Sequence, residues 1–370
     1  MRLISSGKIT NGAEGTNLSS CTFPGVCVLP GGDMIATFKG SPLKVPLAGE
    51  NGYICYSSDM GETWSEPFAP FPDGFTFGRR TASVRGVYAT HLEGSHVLLV
   101  APVVYEEADT PFYNTETEGI LDTEIIFAHS YDSGRTFSLP ARMETEFRQP
   151  VPLTGPALRL PDGNLLCQFE LNKTYFDTGP WVHSAVVTFS NDDGSSWNGA
   201  VMITRDPDLY YWDQRMAVMR DGSVLNLFWT FDRVKAEYLT IHASDSRDGG
   251  KTWAPLWDTG LTGQPGAPAD IGDGRVAVIH IDRTGPPRII VRISGDGGHT
   301  FLPEELVVYD SNLQKQEVLK SGMNDAWEEM SAFSVGHPGL AMLPSGELYA
   351  YYYAGPRTDR TDIYWAKIGV

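Results

Sequence analysis

Ser57-Ser58-Asp59-Met60-Gly61-Glu62-Thr63-Trp64 is the first of five octapeptides that share the pattern Ser-x-Asp-x-Gly-x-Thr/Ser-aromatic. The other four are Ser130-Tyr131-Asp132-Ser133-Gly134-Arg135-Thr136-Phe137, Ser190-Asn191-Asp192-Asp193-Gly194-Ser195-Ser196-Trp197, Ser246-Arg247-Asp248-Gly249-Gly250-Lys251-Thr252-Trp253 and Ser294-Gly295-Asp296-Gly297-Gly298-His299-Thr300-Phe301. In such a turn the aspartate accepts backbone amides, the glycine supplies a positive φ, and the hydroxyls fix the ends. The closing ring is buried against a neighbouring unit. The pattern therefore predicts an architecture built from repeats.

A second repeat lies between the octapeptides. Six pairs of apolar segments, rich in Val, Leu, Ile and aromatics, flank short Gly-containing turns, which is the signal of a β-hairpin. The predicted hairpins are Val26–Phe38, His91–Val104, Ala157–Phe169, Met216–Trp229, Asp270–Ile281 and Leu340–Tyr353. We expect the tail Asp362–Val370 to form a strand that pairs with Leu3–Ile9, because closing a ring of strands removes exposed edges. Gln314–Met330 is the single stretch that reads as a helix or, equally, as a long loop.

Composition narrows the class of protein. The chain has 370 residues, of which 41% are hydrophobic and 11% aromatic, so it can bury several cores. A net charge of −18 argues against a nucleic-acid partner. No apolar run is long enough to span a membrane, and no signal sequence opens the chain. These features predict a cytoplasmic protein, or one whose export signal has been removed.

The cysteines indicate neither a metal nor a cofactor. Cys21, Cys27, Cys55 and Cys167 have no metal-ligand spacing. A Cys27–Cys55 or Cys21–Cys27 disulfide is an alternative, but buried free thiols in strands are favoured. We expect no bound metal and no cofactor.

The octapeptide resembles the Asp box, or BNR repeat, of sialidases (neuraminidases) and related β-propellers. The resemblance implies an all-β fold: a six-bladed β-propeller of four-stranded antiparallel blades with Asp-box turns, formed by residues 1–370 as a single domain. The sixth blade would carry a degenerate box. It also implies that the box aspartates are structural and that ligands bind at the opposite rim, where loops lead into and out of each inner hairpin.

The positions that recognise a substrate carboxylate depart from the family. Sialidases use three arginines for this purpose, and such bidentate recognition suits arginine. By the resemblance, Thr22 and Trp229 stand where two of them are expected, whereas Arg288 matches the third. Other arginines near the same rim could rebuild an anion site. They are Arg79, Arg80, Arg85 and Arg215.

The catalytic positions are also altered. Sialidases use a tyrosine nucleophile polarised by a glutamate, together with an aspartate acid/base. The glutamate falls on Asp213 and the tyrosine on His337, whereas the first exit loop offers Glu50 in place of the aspartate. The unperturbed pKa of histidine lies near neutrality, so His337 could act as an acid/base that Asp213 orients. A hydrogen-bonded turn residue is the alternative for His337.

Aromatic residues near Asp213 suggest a platform for a sugar. Trp212, Asp213 and Arg215 place a ring, a carboxylate and a guanidinium in one loop. Tyr211 and Trp181 could stack on sugar faces, although packing is the commoner use of such rings.

Three functions fit these patterns. The first is an exo-acting glycoside hydrolase of sialidase-like fold that acts on a terminal acidic sugar of a glycan. The second is a polysaccharide lyase, in which His337 and a tyrosine abstract a proton beside a uronate carboxylate held by Arg80 or Arg215. The third is a non-catalytic glycan-binding propeller. The resemblance favours the hydrolase, and fold alone is a weak guide to function.

Overall fold

The computed structural model describes residues 1–45, 50–72, 75–107, 110–311, 313 and 320–370. Among these residues it contains twenty-seven β-strands and one ten-residue α-helix. The chain begins with β1 (Arg2–Lys8). The strands that follow fall into antiparallel groups, which are numbered here in chain order.

Groups 1 to 3 occupy the first half of the chain. Group 1 contains β2 (Ser20–Val28), β3 (Met34–Ser41) and β4 (Asn51–Ser57). Group 2 contains β5 (Thr76–Phe77), β6 (Arg80–Val84), β7 (Tyr88–His91), β8 (Val97–Tyr105), β9 (Thr123–Ser130) and β10 (Ala141–Arg142). Group 3 contains β11 (Leu158–Arg159), β12 (Leu165–Leu171), β13 (His183–Ser190) and β14 (Asn198–Asp206).

Groups 4 to 6 occupy the second half. Group 4 contains β15 (Leu209–Val218), β16 (Val224–Asp232), β17 (Glu237–Tyr238), β18 (His242–Ser246) and β19 (Trp257–Asp258). Group 5 contains β20 (Gln264–Pro265), β21 (Ala269–Gly272), β22 (Arg275–Asp282), β23 (Arg288–Ser294) and β24 (Glu305–Asp310). Helix α1 (Met323–Ala332) precedes group 6, which contains β25 (Val335–Met342), β26 (Leu348–Arg357) and β27 (Arg360–Gly369).

These strands form five hydrogen-bonded sheets, because a single parallel bridge between Ser20 and Thr361 joins groups 1 and 6 into one. The groups contact one another in chain order, and β25 of group 6 touches β2 of group 1, so the arrangement closes on itself. Strand β1 pairs with β27 from Arg2 opposite Gly369 to Lys8 opposite Tyr364. The predicted pairing of the chain ends is therefore confirmed.

The hydrophobic core lies between neighbouring groups. Ile35 and Ile54 of group 1, for example, pack with Val97 and Leu99 of group 2. Similar clusters occupy the other boundaries, including one in which Tyr349 and other residues of group 6 pack on group 1. Each group therefore buries both of its faces, which explains why its central strands are nearly continuous apolar runs.

All six predicted hairpins are present as antiparallel pairs. The four cysteines are free and buried, as favoured from the sequence, and burial raises the pKa of each thiol to about 12. Helix α1 covers the second half of the predicted helical stretch and extends beyond it to Ala332, whereas Gln314–Leu319 lie outside the described residues. No helix among the described residues is long and apolar enough to cross a membrane.

The five octapeptides have one geometry. In the first, the Ser57 hydroxyl donates to Asp59 at 2.7 Å and accepts the Gly61 amide at 2.9 Å. Asp59 accepts the Thr63 amide and hydroxyl at 2.9 and 2.6 Å. The other four copies repeat these bonds at 2.6 to 2.9 Å. The pattern thus folds each octapeptide through contacts within its own eight residues.

The octapeptide glycine also meets the preceding group. A Cβ on Gly61, whose φ is +82°, would lie 2.6 Å from the ring of Tyr349 in group 6. A Cβ on Gly134 would lie equally close to Ile35 of group 1. Glycine is therefore needed twice over, for its positive φ and for the close approach of two groups.

Candidate functional site

Three innermost strands carry a bulge at the same point of their path. The pairing of β2, β15 and β25 with the next strand shifts register at Phe23, Asp213 and His337 respectively. These three residues have φ values of 53°, 50° and 43°, in the left-handed region that non-glycine residues rarely occupy. The bulges turn all three side chains into one cavity. Backbone strain of this kind persists only where the surroundings hold it and is concentrated at functional sites.

The cavity has a volume of about 240 Å³ and is lined by residues from all six groups and from α1. None of its lining residues belongs to an octapeptide. Much of the wall is aromatic, with Trp181, Trp212, Trp229 and Trp327 among the lining side chains. Flat apolar walls with a few polar groups are typical of small-molecule sites and suit the faces of a sugar ring.

Asp213 is the central carboxylate of this cavity. Its Oδ2 accepts a hydrogen bond from the amide of Gln264 and lies 4.0 Å from Nε2 of His337. Its Oδ1 lies 4.0 Å from the Arg215 guanidinium. Burial raises the pKa of Asp213 above the usual range of an aspartate, more than the charge of Arg215 lowers it. A carboxyl group with a raised pKa is suited to give and take a proton near neutral pH.

Glu170 holds the bulge that carries Asp213. One carboxylate oxygen of Glu170 accepts the backbone amide of Asp213 at 2.6 Å, and the other lies 3.2 Å from Nε2 of His183. Both Glu170 and His183 are buried. The strained conformation at Asp213 is therefore fixed by a side chain from the neighbouring group.

His337 lies beside Asp213 in the wall of the cavity. Its ring meets Phe23 edge to face, with the centroids 4.4 Å apart, and its Nδ1 lies 2.6 Å from the Arg215 guanidinium. Burial lowers the pKa of His337 well below the usual value, and the charges of Arg215, Lys44 and Arg283 lower it further. Burial and these charges therefore favour the neutral form of His337.

A cluster of cations surrounds the opposite wall. Lys44 and Arg85 line the cavity, and Glu50 behind them is in contact with Arg85 at 3.2 Å and Lys39 at 2.8 Å. Burial, then the nearby Arg283 and Lys39, lower the pKa of Lys44 well below that of an ordinary lysine.

Positive groups outnumber negative ones at this site. Among the described residues that line the cavity or whose side chains contact a residue lining it, the basic side chains are Lys39, Lys44, Arg85, Arg215 and Arg283, and the carboxylates are Glu50, Glu170 and Asp213. In a protein whose net charge is −18, such a site favours an anionic ligand.

Helix α1 forms one wall, and contacts with other loops hold it there. Lys44 donates to the carbonyl oxygens of Met330 and Phe333 at 2.7 Å each. The Trp327 ring stacks on Tyr113 with centroids 4.7 Å apart, and the Tyr113 hydroxyl donates to Asn324 at 2.9 Å. The helix thereby restricts the space above the bulges.

The structure brings some of the sequence-predicted site residues together. Asp213, His337, Trp212 and Trp181 line the cavity. Arg215 lies behind His337, where both border a smaller cavity of about 40 Å³. Glu50 lies behind Arg85 and is not a lining residue.

The remaining predicted residues lie elsewhere. Arg80 pairs with Asp122 at 2.9 Å and its side chain is 43% exposed, whereas Arg288 pairs with Asp282 at 3.1 Å. Arg79 is exposed, and Tyr211 is buried against Phe228. None of these four residues lines the cavity.

Other residues of the site were not singled out from the sequence. Lys44, Glu170 and Gln264 fall in loops that were predicted to face the ligand, but nothing in their local sequence distinguishes them from neighbours. Trp327 comes from α1, whose position depends on contacts with distant loops. For these residues the sequence predicts which loop lies near the ligand, but not which side chain of that loop enters the site.

Comparison with known proteins places the fold. No family model matches the chain. The chain is 26% identical over 305 residues to a sialidase of Micromonospora viridifaciens, an alignment that covers 79% of this chain and 37% of that protein. The chain thus corresponds to about a third of the length of that relative.

Solved structures are similar over almost the whole chain. A protein of unknown function from Dyadobacter fermentans superposes with a TM-score of 0.77 at 16% identity, covering 100% of this chain and 99% of that one. The intramolecular trans-sialidase of Ruminococcus gnavus gives 0.67 at 14% identity, covering 98% and 97%. Trypanosoma rangeli sialidase gives 0.64 at 12% identity, covering 99% and 60%. The chain therefore has a sialidase-like, nearly all-β fold, and the proteins to which it is similar include sialidases.

Proposed function

We propose that this protein is an exo-acting glycoside hydrolase that removes a terminal acidic sugar from a glycan. Its scaffold is a six-bladed β-propeller formed by residues 1–370 as a single domain, with four-stranded blades and Asp boxes at the five octapeptides. The observation that carries the proposal is Asp213, a partly buried carboxyl with a raised pKa, presented on a strained bulge to an aromatic cavity.

The size and walls of the cavity support an exo mode of action. Its volume of about 240 Å³ is below the ~300–1,000 Å³ typical of sites for drug-sized ligands, so one sugar ring fits better than a chain. Helix α1 narrows the site on one side, and Trp212 and Trp181 offer surfaces for stacking. A single terminal sugar would enter with its glycosidic oxygen directed at Asp213.

The cations support an acidic substrate. By the resemblance to sialidases, Thr22 and Trp229 stand where two of the three arginines are expected, and Arg288 is paired with Asp282 at a distance from the cavity. Arg85 and Lys44 are the basic side chains that line this cavity among the described residues, and Nη1 of Arg85 has no hydrogen-bond partner there. A carboxylate or another anionic group on the sugar would bind there.

The chemistry assigned to Asp213 is proton transfer. It gives its proton to the glycosidic oxygen as the bond from that oxygen to the anomeric carbon breaks. Water supplies the hydroxyl group that the anomeric carbon gains, and the second proton of that water restores Asp213. Glu170 and Gln264 hold the carboxyl in place through its backbone amide and its Oδ2.

A lyase is less well supported than a hydrolase. Elimination beside a uronate carboxylate needs a base, and the candidate is His337 acting with a tyrosine. Its Nδ1 is occupied by an arginine donor at 2.6 Å, so the ring has no free lone pair to accept a proton. A binding protein is also less well supported, because a glycan-binding surface has no need of a strained carboxyl with a raised pKa.

A screen of fluorogenic glycosides tests the proposal. Glycosides of sialic acid, Kdo, uronic acids and neutral deoxy sugars are offered to the wild type and to the Asp213→Asn and His337→Ala variants. We expect turnover of an acidic sugar that falls in both variants. Ultraviolet absorbance of the product would reveal the double bond of a lyase reaction, whereas affinity without turnover of any glycoside would indicate a binding protein. Full activity in both variants would overturn the assignment of the site.

A further inference from the structure

The contact between Arg215 and His337 fixes the position of a proton. A guanidinium has five N–H donors, no acceptor, and stays protonated in proteins. Its NH2 nitrogen lies 2.6 Å from Nδ1 of His337, so Nδ1 must be the acceptor of that hydrogen bond. An imidazole that accepts at Nδ1 carries its single proton on Nε2. This assignment follows from the chemistry of the two side chains.

The surroundings of His337 oppose a second proton. Protonation would direct an Nδ1–H group at the donors of Arg215 and add a positive charge beside Lys44 and Arg283. Both of those cations, like Arg215, already lower the pKa of His337. Among the described residues, Asp213 is the one carboxylate in contact with the ring, 4.0 Å from Nε2, and the aromatic rings that meet it are those of Phe23 and Tyr353.

Arg215 is itself held firmly. A second nitrogen of its guanidinium donates to the carbonyl oxygen of Thr154 in the neighbouring group, and its side chain is only 8% exposed. A donor fixed in this way cannot turn away from His337 without losing both contacts. The tautomer of His337 is therefore set by packing between two groups of strands.

We propose that Arg215 keeps His337 as a neutral imidazole with its proton on Nε2, so that His337 donates a hydrogen bond to the substrate while Asp213 alone transfers a proton. Arg215 is then a positioning residue and not part of an anion site. The tautomer does not depend on the protein being a hydrolase, whereas the role of the donor rests on the proposed function. A neutral histidine used in this way stabilises negative charge that develops on oxygen.

Nitrogen NMR of the full chain labelled with ¹⁵N-histidine tests the tautomer of His337 without any substrate. The His337→Gln variant identifies the His337 signals by their loss. We expect Nδ1 to show a pyridine-type shift and Nε2 a pyrrole-type shift, both constant from about pH 5 to about pH 8, although free histidine titrates near 6.5. A proton on Nδ1, or protonation of both nitrogens within that range, would overturn the proposal.

Variants of Arg215 test the cause. In Arg215→Met the donor is lost, and we expect the His337 signals to titrate or to show a mixture of tautomers. Arg215→Lys keeps a donor and should behave as the wild type. Arg220→Met is the matched control, because Arg220 lies in the same group but pairs with Asp270 outside the cavity. Unchanged His337 signals in folded Arg215→Met would contradict the role of Arg215. If that variant does not fold, the role of Arg215 is judged from the His337 tautomer measured in the wild type and in Arg215→Lys.

Kinetics on the acidic glycoside found in the screen test whether His337 acts as a hydrogen-bond donor and Asp213 alone transfers the proton. His337→Gln retains an N–H donor and should keep kcat/KM within ~10-fold of the wild type, whereas His337→Ala should lose ~100-fold or more. The pH profile of kcat/KM should contain no ionisation that disappears in His337→Gln. An ionisation that does disappear, with equal losses in both variants, would show that His337 transfers the proton. Absence of any turnover would contradict the hydrolase but leave the NMR result standing.

Discussion

The five octapeptide turns and the three inner bulges are both repeated features, yet they repeat in different ways. The turns repeat residues and geometry alike, with each aspartate bound to the same partners. The bulges repeat only the backbone, and they present Phe23, Asp213 and His337, three different side chains, to one cavity. The turns satisfy their polar groups within eight residues. The polar groups at the bulges are instead bound by residues from other groups of strands. For this reason the side chains on the bulges are available for chemistry.

An aspartate-to-asparagine substitution should affect activity at the bulges and stability at the octapeptide turns, which is the largest difference we expect between the two regions. Asp213→Asn removes the proton-transfer group, and we expect kcat/KM to fall by ~10²–10⁴-fold with little change in Tm. Asp132→Asn alters a turn in which the aspartate accepts the Thr136 amide and hydroxyl. We expect that variant to lose a few degrees in Tm and to keep its activity. Activity assays and thermal melts of both variants test this comparison. Loss of activity in Asp132→Asn at a temperature where it is folded would contradict a purely structural role for the turns.

Two glycines allow the cost of backbone strain to be distinguished from the cost of a steric clash between groups. Gly61 and Gly163 have φ values of +82° and +86°, but a Cβ would meet the Tyr349 ring at 2.6 Å in the first case and nothing within 4 Å in the second. Gly163→Ala should cost ~1–2 kcal/mol through strain alone. Gly61→Ala should cost a further ~1–3 kcal/mol because the two groups can no longer approach. Equal free energies of unfolding in urea would show that the turns do not set the spacing between groups.

Two arginines of group 2 test which charge faces the substrate. Arg85 lines the cavity, whereas Arg80 pairs with Asp122 at the surface. Arg85→Met should raise KM for the acidic glycoside by ~10–100-fold, equivalent to ~1.4–2.8 kcal/mol of binding. Arg80→Met is the matched control and should leave KM within a factor of about two, as expected for an exposed pair. A larger effect from Arg80 than from Arg85 would place the anion site at the rim.

The smallest expected effect is the response of the turns to acid. Hydrogen bonds from the Thr136 amide and hydroxyl lower the pKa of Asp132 from 3.8 to about 2. Because the folded-state pKa is lowered, the turn contributes stability above about pH 4 and loses it as the pH falls towards 2. The difference in Tm between the wild type and Asp132→Asn should therefore shrink over that range. A difference that stays constant down to pH 2 would mean that the shift is absent.

Arg80 and Arg85 also show why part of the site could not be predicted. Both lie in one short stretch of group 2, and the alternation of a strand would assign their directions. The chain breaks that alternation between β6 and β7, where Gly86 has a φ of 135° and follows Arg85. Arg80 and Arg85 are an odd number of residues apart, so alternation alone places them on opposite faces, and it does not say which of the two faces the cavity. Asp213 and His337 stood out in the sequence because they depart from the pattern of a known family, whereas Arg85 was one of four arginines that could form an anion site.

The repeat pattern of the sequence predicted the pairing of the chain ends, and the sequence alone determined the features that close within a few residues of one another, which are the octapeptide turns and the hairpins. Their geometry is encoded by short-range hydrogen bonds and by the φ preferences of glycine, so the residues themselves state it. The tertiary structure alone decided which polar side chains share the cavity. Glu170 reaches Asp213, Arg215 reaches His337 and Lys44 reaches α1 across boundaries between groups. These contacts depend on how separate strands are set against one another, and no local pattern carries that information.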